Sequence, residues 1–154
     1  MTKSIDNNIL IKLQRFCLYQ ARCEHDIIKK LRSLKTPYEH DQEYLDHLKK
    51  EKYFDQEYFT EEFVHGKIKY NSWGKQKIRL ALYGKKIDNK IIEDTLDKID
   101  SEDYSEIIKK LILKKIDAVN DKNKKEKSAH IYRFMIQRGF LASDFMHILK
   151  SELE

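Results

Sequence analysis

The sequence predicts an all-α protein, and three observations support that prediction. Turn-forming residues are scarce, with one proline and four glycines among 154 residues, whereas strand-rich folds need many tight turns. Apolar residues recur at three- and four-residue spacing along most of the chain, which is typical of amphipathic helices. The apolar pattern of residues 78–96 returns 53 positions later in residues 131–149, so one helical module is predicted to occur more than once. The aligned pairs are Ile78 and Ile131, Leu82 and Met135, Ile87 and Phe140, Ile92 and Phe145, and Leu96 and Leu149.

A first repeat of three helices is predicted over residues 1–52. Apolar periodicity places its helices at about 4–20, 24–35 and 39–50. Pro37 ends the second of them, because the residue before a proline is pushed out of helical geometry. A module of this size buries little apolar surface alone, so neighbouring repeats are expected to stack.

A second repeat is predicted over residues 53–100. Asp55 is a plausible N-cap for a helix reaching about residue 69. The next helix opens near Trp73 and closes near Gly84, and Asp88 caps a third that extends to about Ile99. This repeat contains the aromatic, basic turn that dominates the middle of the sequence.

A third repeat is predicted over residues 101–154. Its helices are placed at about 101–119, 130–138 and 143–149. The charge run at 120–127 is interpreted as a solvated loop, with a specific polyanion contact as the alternative. Gly139 separates the last two helices, and Ser143 is the expected cap of the final one.

Positive charge is unevenly distributed along the chain. The formal net charge is +5, and eight Lys and Arg residues lie between His65 and Lys90 against the single carboxylate of Asp88. Such a patch attracts polyanions or an acidic protein surface.

No catalytic or metal-binding pattern is found in the sequence. Cys17 and Cys23 are six residues apart in a helical pattern, which puts them on different sides of a helix, so no disulfide is expected. A zinc site with His25 is not expected either, because there is no close-spaced C-x-x-C pair and no matching second ligand pair. His40 and His47 are interpreted as exposed polar residues. The sequence also lacks a phosphate-binding glycine loop and a nucleophile motif, so we expect neither an enzyme nor a cofactor.

The first eight residues, MTKSIDNN, do not have the pattern of a signal peptide, and no apolar run approaches the roughly 20 residues of a membrane span. The two cysteines indicate a reducing compartment. A cytoplasmic protein without a membrane partner is expected.

Three segments resemble the RecX family of bacterial regulators of the recombinase RecA. Residues 53–64, YFDQEYFTEEFV, are similar to the opening of the family's second repeat. Gly74 begins a segment that continues through Ile78 and Leu82 to Ile87 with the family's spacing. QRGF, residues 137–140, is similar to the segment before the family's last helix. The resemblance covers roughly residue 20 to the end of the chain, and the order and spacing of the segments carry it.

The sequence also departs from the family pattern. Gln56 stands where the family often has a second Asp, Tyr58 where it often has Arg, and Thr60 where it often has Ala. Lys86 replaces the glycine that usually precedes Ile87. The missing arginine puts in doubt any contact that it makes in the family.

The resemblance implies three tandem three-helix repeats in an elongated, curved right-handed array. It also implies a monomer that binds the RecA–DNA filament and mainly inhibits its extension, ATPase, strand exchange and co-protease activity. Homologous recombination, DNA repair and the SOS response are then the affected processes. DNA within the filament is a further partner under this reading.

The candidate binding face is the basic second repeat, with two arginines of the third. Tyr70 and Trp73 are either partner contacts or, for Trp73, an anchor between modules. The alternative for the basic residues is an ordinary solvated surface, and the alternative for Arg138 is that it favours the C-terminus of its own helix. A different class of function is a stand-alone nucleic-acid-binding helical module acting through the same turn. The candidate residues are Lys67, Lys69, Tyr70, Trp73, Lys75, Lys77, Arg79, Lys85, Lys86, Arg133 and Arg138.

Overall fold

The structure, a computed structural model, describes residues 5–154, and the secondary structure of this part consists of α-helices and one short 3-10 turn. The all-α prediction is confirmed. None of the helices in this range combines the length and the apolar character needed to cross a membrane. The helices are α1 Asn7–Tyr19, α2 Glu24–Ser33, α3 Asp41–Lys50, α4 Gln56–Asn71, α5 Lys75–Gly84, α6 Asn89–Asp97, α7 Ser101–Ala118, α8 Lys124–Gln137 and α9 Ala142–Leu153.

The chain forms two compact units. The first extends through Phe63 and also contains Leu82–Ile91, and the second contains Val64–Ala81 and Ile92–Glu154. In the first unit, α2 packs against α1 and α3, and the hydroxyl of Tyr44 accepts a 2.9 Å hydrogen bond from the backbone N–H of Asp6. The core of this unit consists of Leu10, Leu13, Cys17, Ile27, Leu31, Tyr44, Leu45 and Leu48.

The second unit has its own apolar core, in which α7, α8 and α9 pack on one another. The rings of Tyr104 and Phe140 lie 5.6 Å apart between centroids. Both members of every apolar pair aligned in the sequence are buried. The core residues of this unit are Tyr104, Ile108, Ile112, Val119, Ile131, Met135, Phe140, Phe145 and Leu149.

An aspartate precedes the first helix of each group of three. Asp6, Asp55 and Asp100 each accept a backbone N–H from the first helical turn, at 2.8–3.0 Å. These bonds satisfy donors that have no partner within the helix. The predicted N-cap at Asp55 is therefore confirmed.

The second helix of each group ends in the same way. Lys35, Lys86 and Gly139 follow α2, α5 and α8 with left-handed φ values of 59°, 59° and 94°. The residue after each donates its N–H to the carbonyl five positions back, at 3.1–3.3 Å. This is the Schellman end of a helix, which favours glycine at the left-handed position.

The N-terminus of α5 is capped by groups from the third set of helices, within the second unit. The backbone N–H groups of residues 74–76 would otherwise lack partners. They donate in turn to the carbonyl of Arg138 at 2.7 Å, the hydroxyl of Tyr104 at 3.0 Å and the carbonyl of Gly139 at 3.0 Å. The turn before α5 is thus fixed directly against the turn after α8.

Two glycines make this close approach possible. A β-carbon at Gly74 would lie 2.3 Å from the carbonyl carbon of Gly139, and one at Gly139 would lie 2.3 Å from Cβ of Lys77. Both distances are shorter than any real contact, so larger residues force the two turns apart.

Two local sequence predictions are wrong. The second half of the predicted loop at 120–127 is helical, because α8 begins at Lys124. Asn123 caps it, accepting the N–H of Glu126 at 2.9 Å while its amide donates to the Glu126 carboxylate at 3.1 Å. Because the run of charges has no apolar periodicity, the helix start was not predicted. The Asn–Glu pair, three residues apart, is the sequence signal for it.

Ser143 does not cap α9. That helix begins one residue earlier, at Ala142, and its N-cap position is Leu141, which makes no side-chain capping bond. Ser143 is therefore inside the first turn. The predicted start of the first helix at residue 4 lies outside the described residues, and α1 begins at Asn7.

A partly buried ion pair joins two helices of the first unit. Nζ of Lys85 lies 2.5 Å from Oδ1 of Asp26, and the other carboxylate oxygen of Asp26 accepts the N–H of Cys23 at 3.2 Å. Burial by itself raises the pKa of Asp26. The hydrogen bonds from Lys85 and Cys23 outweigh it and hold that pKa below its ordinary value of 3.8.

We expect Gly139→Ala to destabilise the protein by about 2–4 kcal/mol, because it adds left-handed strain to the collision with Lys77. Gly66→Ala is the matched control, since a β-carbon at that position of α4 meets nothing within 4 Å. It should stabilise the protein by about 0.5–1 kcal/mol. Urea unfolding followed by circular dichroism measures both, and equal effects would contradict the role given to Gly139.

Asp26→Asn should lower the free energy of unfolding at pH 7 by about 1–2 kcal/mol, because two hydrogen bonds to a charged carboxylate are weakened. The folded-state pKa of Asp26 is depressed, so its contribution is present above 3.8 and is lost as pH falls through the folded value. The difference between parent and variant should therefore shrink on acidification. A difference that is constant with pH in urea titrations argues against this assignment.

Candidate interaction surface

The turn between α4 and α5 places two cations on one aromatic ring. The Nζ atoms of Lys67 and Lys77 each lie 4.6 Å from the ring centroid of Trp73, which is half-buried. The backbone N–H of Trp73 donates to the carbonyl of Lys67 at 3.0 Å, and Ser72 adopts a φ of 53°. The attraction between cation and ring therefore holds both ammonium groups beside the indole.

Two further lysines of this region contact tyrosine rings. Nζ of Lys69 lies 5.4 Å from the ring centroid of Tyr70, whose side chain is 74% exposed. Nζ of Lys75 lies 4.8 Å from the ring of Tyr104. Burial raises the pKa of Tyr104 to about 12, although the N–H of Lys75 lowers it by hydrogen bonding. The Tyr104 side chain is therefore protonated at neutral pH, and its oxygen accepts the Lys75 N–H.

Arg138 lies at the same turn, and its side chain hydrogen-bonds to the backbone. Its Nη1 donates to the carbonyl of Asn71 at 2.8 Å, and its guanidinium carbon lies 5.2 Å from the ring of Phe134. Asn71 is the last residue of α4, so Arg138 caps the C-terminus of that helix. The alternative drawn from the sequence was the C-terminus of its own helix, α8, whereas the Arg138 side chain donates to the end of α4.

The remaining candidates are not gathered at this turn. Arg79 forms a two-pronged ion pair with Glu93, at 2.6 and 3.2 Å, and also contacts Gln76. Lys85 is paired with Asp26 in the first unit. Lys86 belongs to that unit too and is exposed.

Arg133 is exposed on α8 and lines a cavity of about 610 Å³ in the second unit. Tyr132, Met146, Lys124 and Lys125 also line this cavity. Its walls are mainly apolar.

The residues that depart from the family pattern have local roles. The side-chain oxygen of Gln56 accepts the N–H of Asp88 at 2.7 Å, ahead of α6. The buried hydroxyl of Thr60 donates to the carbonyl of Gln56 at 2.8 Å. Tyr58, at the position of the missing arginine, is exposed. Gln56 and Thr60 therefore stabilise the fold.

Sequence reasoning missed a basic surface on α1 and α2. Lys12, Arg15, Arg22 and Lys30 surround Phe16 and Tyr19 in a depression that we call the α1–α2 pocket. Lys12 and Phe16 are four residues apart, as are Arg15 and Tyr19, so each pair shares a helix face. That spacing was the available signal.

The described residues contain no cluster of three or more His, Cys, Asp or Glu side chains placed to hold a metal ion. Cys17 and Cys23 are buried free thiols. Burial raises the pKa of each to about 11, so both stay protonated at neutral pH and are poor nucleophiles.

Comparison with known proteins identifies relatives. Residues 55–96 match a family model described as RecX, second three-helix domain. Regulatory protein RecX of Oceanobacillus iheyensis is 30% identical over 125 residues, which cover 81% of this chain and 46% of that protein. Regulatory protein RecX of Finegoldia magna is 32% identical over 129 residues, covering 81% of this chain and 62% of that protein. The chain thus spans about half the length of the curated relatives it matches.

Solved structures agree with this comparison. A crystal structure of a regulatory protein RecX has a TM-score of 0.84 and 26% identity, covering 92% of this chain and 71% of that one. The crystal structure of RecX from Lactobacillus salivarius has a TM-score of 0.76 and 22% identity, covering 95% and 97% of the two chains, and shows the shared fold. The resemblance found in the sequence is confirmed, and the chain belongs to the RecX family.

Proposed function

We propose that this protein regulates RecA by binding the RecA–DNA filament, and that it mainly inhibits filament extension, ATPase, strand exchange and co-protease activity. The match of residues 55–96 to the RecX family carries the proposal, together with relatives named regulatory proteins. The relatives' names also favour a regulator over an enzyme. We further propose that it acts as a monomer in the cytoplasm, where RecA works.

The proposed contact is the α4–α5 turn surface, which we define as Lys67, Lys69, Tyr70, Trp73 and Lys77. The ammonium groups of Lys67, Lys69 and Lys77 each lie against an aromatic ring, which orients a cation without cancelling its charge. Their charge therefore attracts an acidic protein surface or phosphates. Tyr70 adds an exposed ring of the kind that anchors protein interfaces.

The other candidates have secondary parts in this proposal. Arg79 and Lys85 are each balanced by a carboxylate, so each attracts an acidic partner weakly. Lys75 and Arg138 hold the turn in place. Lys86 and Arg133 are exposed and extend the basic character of their own units.

We also propose that the chain consists of three repeats, residues 1–52, 53–100 and 101–154. The aspartate before each group of helices and the left-handed residue at 35, 86 and 139 support this division. Repeats of this kind depend on stacking against neighbours for their stability.

Lys69→Gln with Lys77→Gln should weaken binding to the RecA–DNA filament roughly three- to tenfold, because two interfacial charges are lost. Fluorescence anisotropy on filaments assembled with a non-hydrolysable ATP analogue measures the binding affinity. Inhibition of the DNA-dependent ATPase is a second readout. Arg79 and Lys85 stay unchanged, since removing either strands a carboxylate. Lys110→Gln with Lys114→Gln, both exposed on α7, is the matched control. Equal inhibition by the two variants would assign binding to another face.

Binding to DNA should require RecA at physiological salt. We expect tight association with the filament in the presence of RecA and ATP, and much weaker association with the same DNA alone. Titration of salt from low to physiological concentration separates the two cases, because direct phosphate contacts give a steep slope. Equal affinity for naked duplex and filament would support the stand-alone nucleic-acid-binding module instead.

A further inference from the structure

The α1–α2 pocket holds its central arginine in a fixed position. Nε of Arg22 donates to the backbone carbonyl of Phe16 at 2.9 Å, and its guanidinium carbon lies 3.6 Å from the centroid of the Phe16 ring. Nζ of Lys30 lies 5.4 Å from the same ring. The guanidinium is therefore stacked on the Phe16 ring. Its two terminal nitrogens make no hydrogen bond to the residues that the structure describes and are available to a ligand.

Among the described residues, no carboxylate lines this pocket. Helix α1 contains Lys12 and Arg15 but neither Asp nor Glu, and both cations are exposed. Two other cations of the first unit are neutralised, since Lys85 pairs with Asp26 and Arg32 with Asp41. The four cations of the pocket make no ion pair within residues 5–154, so their charge is available to an anion. The carboxylate nearest to Arg22 along the sequence is that of Glu24, in the first turn of α2. Glu24 has no described cationic partner.

An exposed ring completes the pocket. The Tyr19 side chain is 83% exposed, and its ring centroid is 6.0 Å from the guanidinium carbon of Arg22. The depression has a volume of about 330 Å³ and is open to solvent. It thus offers a planar apolar surface directly beside four positive charges.

We propose that the α1–α2 pocket binds single-stranded nucleic acid, with a base stacked on Tyr19 and the adjoining phosphates held by Lys12, Arg15, Arg22 and Lys30. Every base has a face that stacks on an aromatic ring, and unpaired strands leave that face free. An acidic peptide satisfies the cations but gains little from Tyr19. A duplex keeps its bases stacked on one another and has no face for the ring. This site is separate from the α4–α5 turn surface and does not depend on RecA.

The test measures binding of a fluorescein-labelled oligothymidylate of about 15 nucleotides to the full chain, without RecA, over a range of salt. Lys12→Gln with Arg15→Gln should weaken binding roughly tenfold at low salt and reduce the salt slope by about 1.4, since each lost phosphate contact accounts for about 0.7 in single strands. Tyr19→Ser should weaken binding roughly 5- to 150-fold, whereas Tyr19→Phe keeps the ring and should bind like the parent.

Lys49→Gln with Lys50→Gln is the control for charge, because it removes two exposed cations from α3 of the same unit. Circular dichroism confirms that each variant is folded. Any of four results overturns the proposal. Two concern the variants: equal affinities for the Lys12/Arg15 and Lys49/Lys50 variants, or equal affinities for the two Tyr19 variants. Two concern the ligand: displacement of the oligonucleotide by polyglutamate at matched charge, or equal affinity for a duplex. A loss confined to the Lys69/Lys77 variant moves the site to the α4–α5 turn surface and also overturns it.

Discussion

Gly74 and Gly139 approach so closely that neither position has room for a β-carbon, and the second unit is organised around this contact. The approach brings the carbonyls of Arg138 and Gly139 within hydrogen-bonding distance of the first N–H groups of α5. Because α5 starts at a fixed point, Trp73 just before it and Lys77 in its first turn are fixed as well. A sterically enforced backbone contact therefore positions the basic, aromatic surface that we assign to partner binding.

The left-handed helix end shows how the same local geometry serves different surroundings. At Gly139 a side chain is excluded, because Cβ of Lys77 occupies the space. At Lys35 and Lys86 the backbone has the same sign of φ, and each residue is exposed. A lysine in this conformation costs about 1 kcal/mol relative to glycine, which the Schellman hydrogen bonds offset. The left-handed helix end is thus the same in all three groups of helices. The residue at that position is glycine where a side chain has no room and lysine where the position is exposed.

Two sets of cations among the described residues differ in what they contact. Arg79 and Lys85 face carboxylates, and their charge is largely cancelled for an approaching partner. Lys69, Lys77 and Arg22 lie against aromatic rings, which orient a cation without neutralising it. Both proposed sites, one for the RecA filament and one for an unpaired strand, are built from the second group.

The sequence by itself determined the helical class, the order of the helices and the aspartate cap of α4, because periodicity and capping are local properties of a few neighbouring residues. It missed the start of α8, where a charge run has no apolar period, although the Asn123 cap was present. Only the tertiary structure decided which cations are neutralised, since Asp26 and Lys85 are 59 residues apart. It also decided the meaning of Gly74 and Gly139, because a close approach depends on how two distant segments pack, and neither segment alone encodes the distance between them.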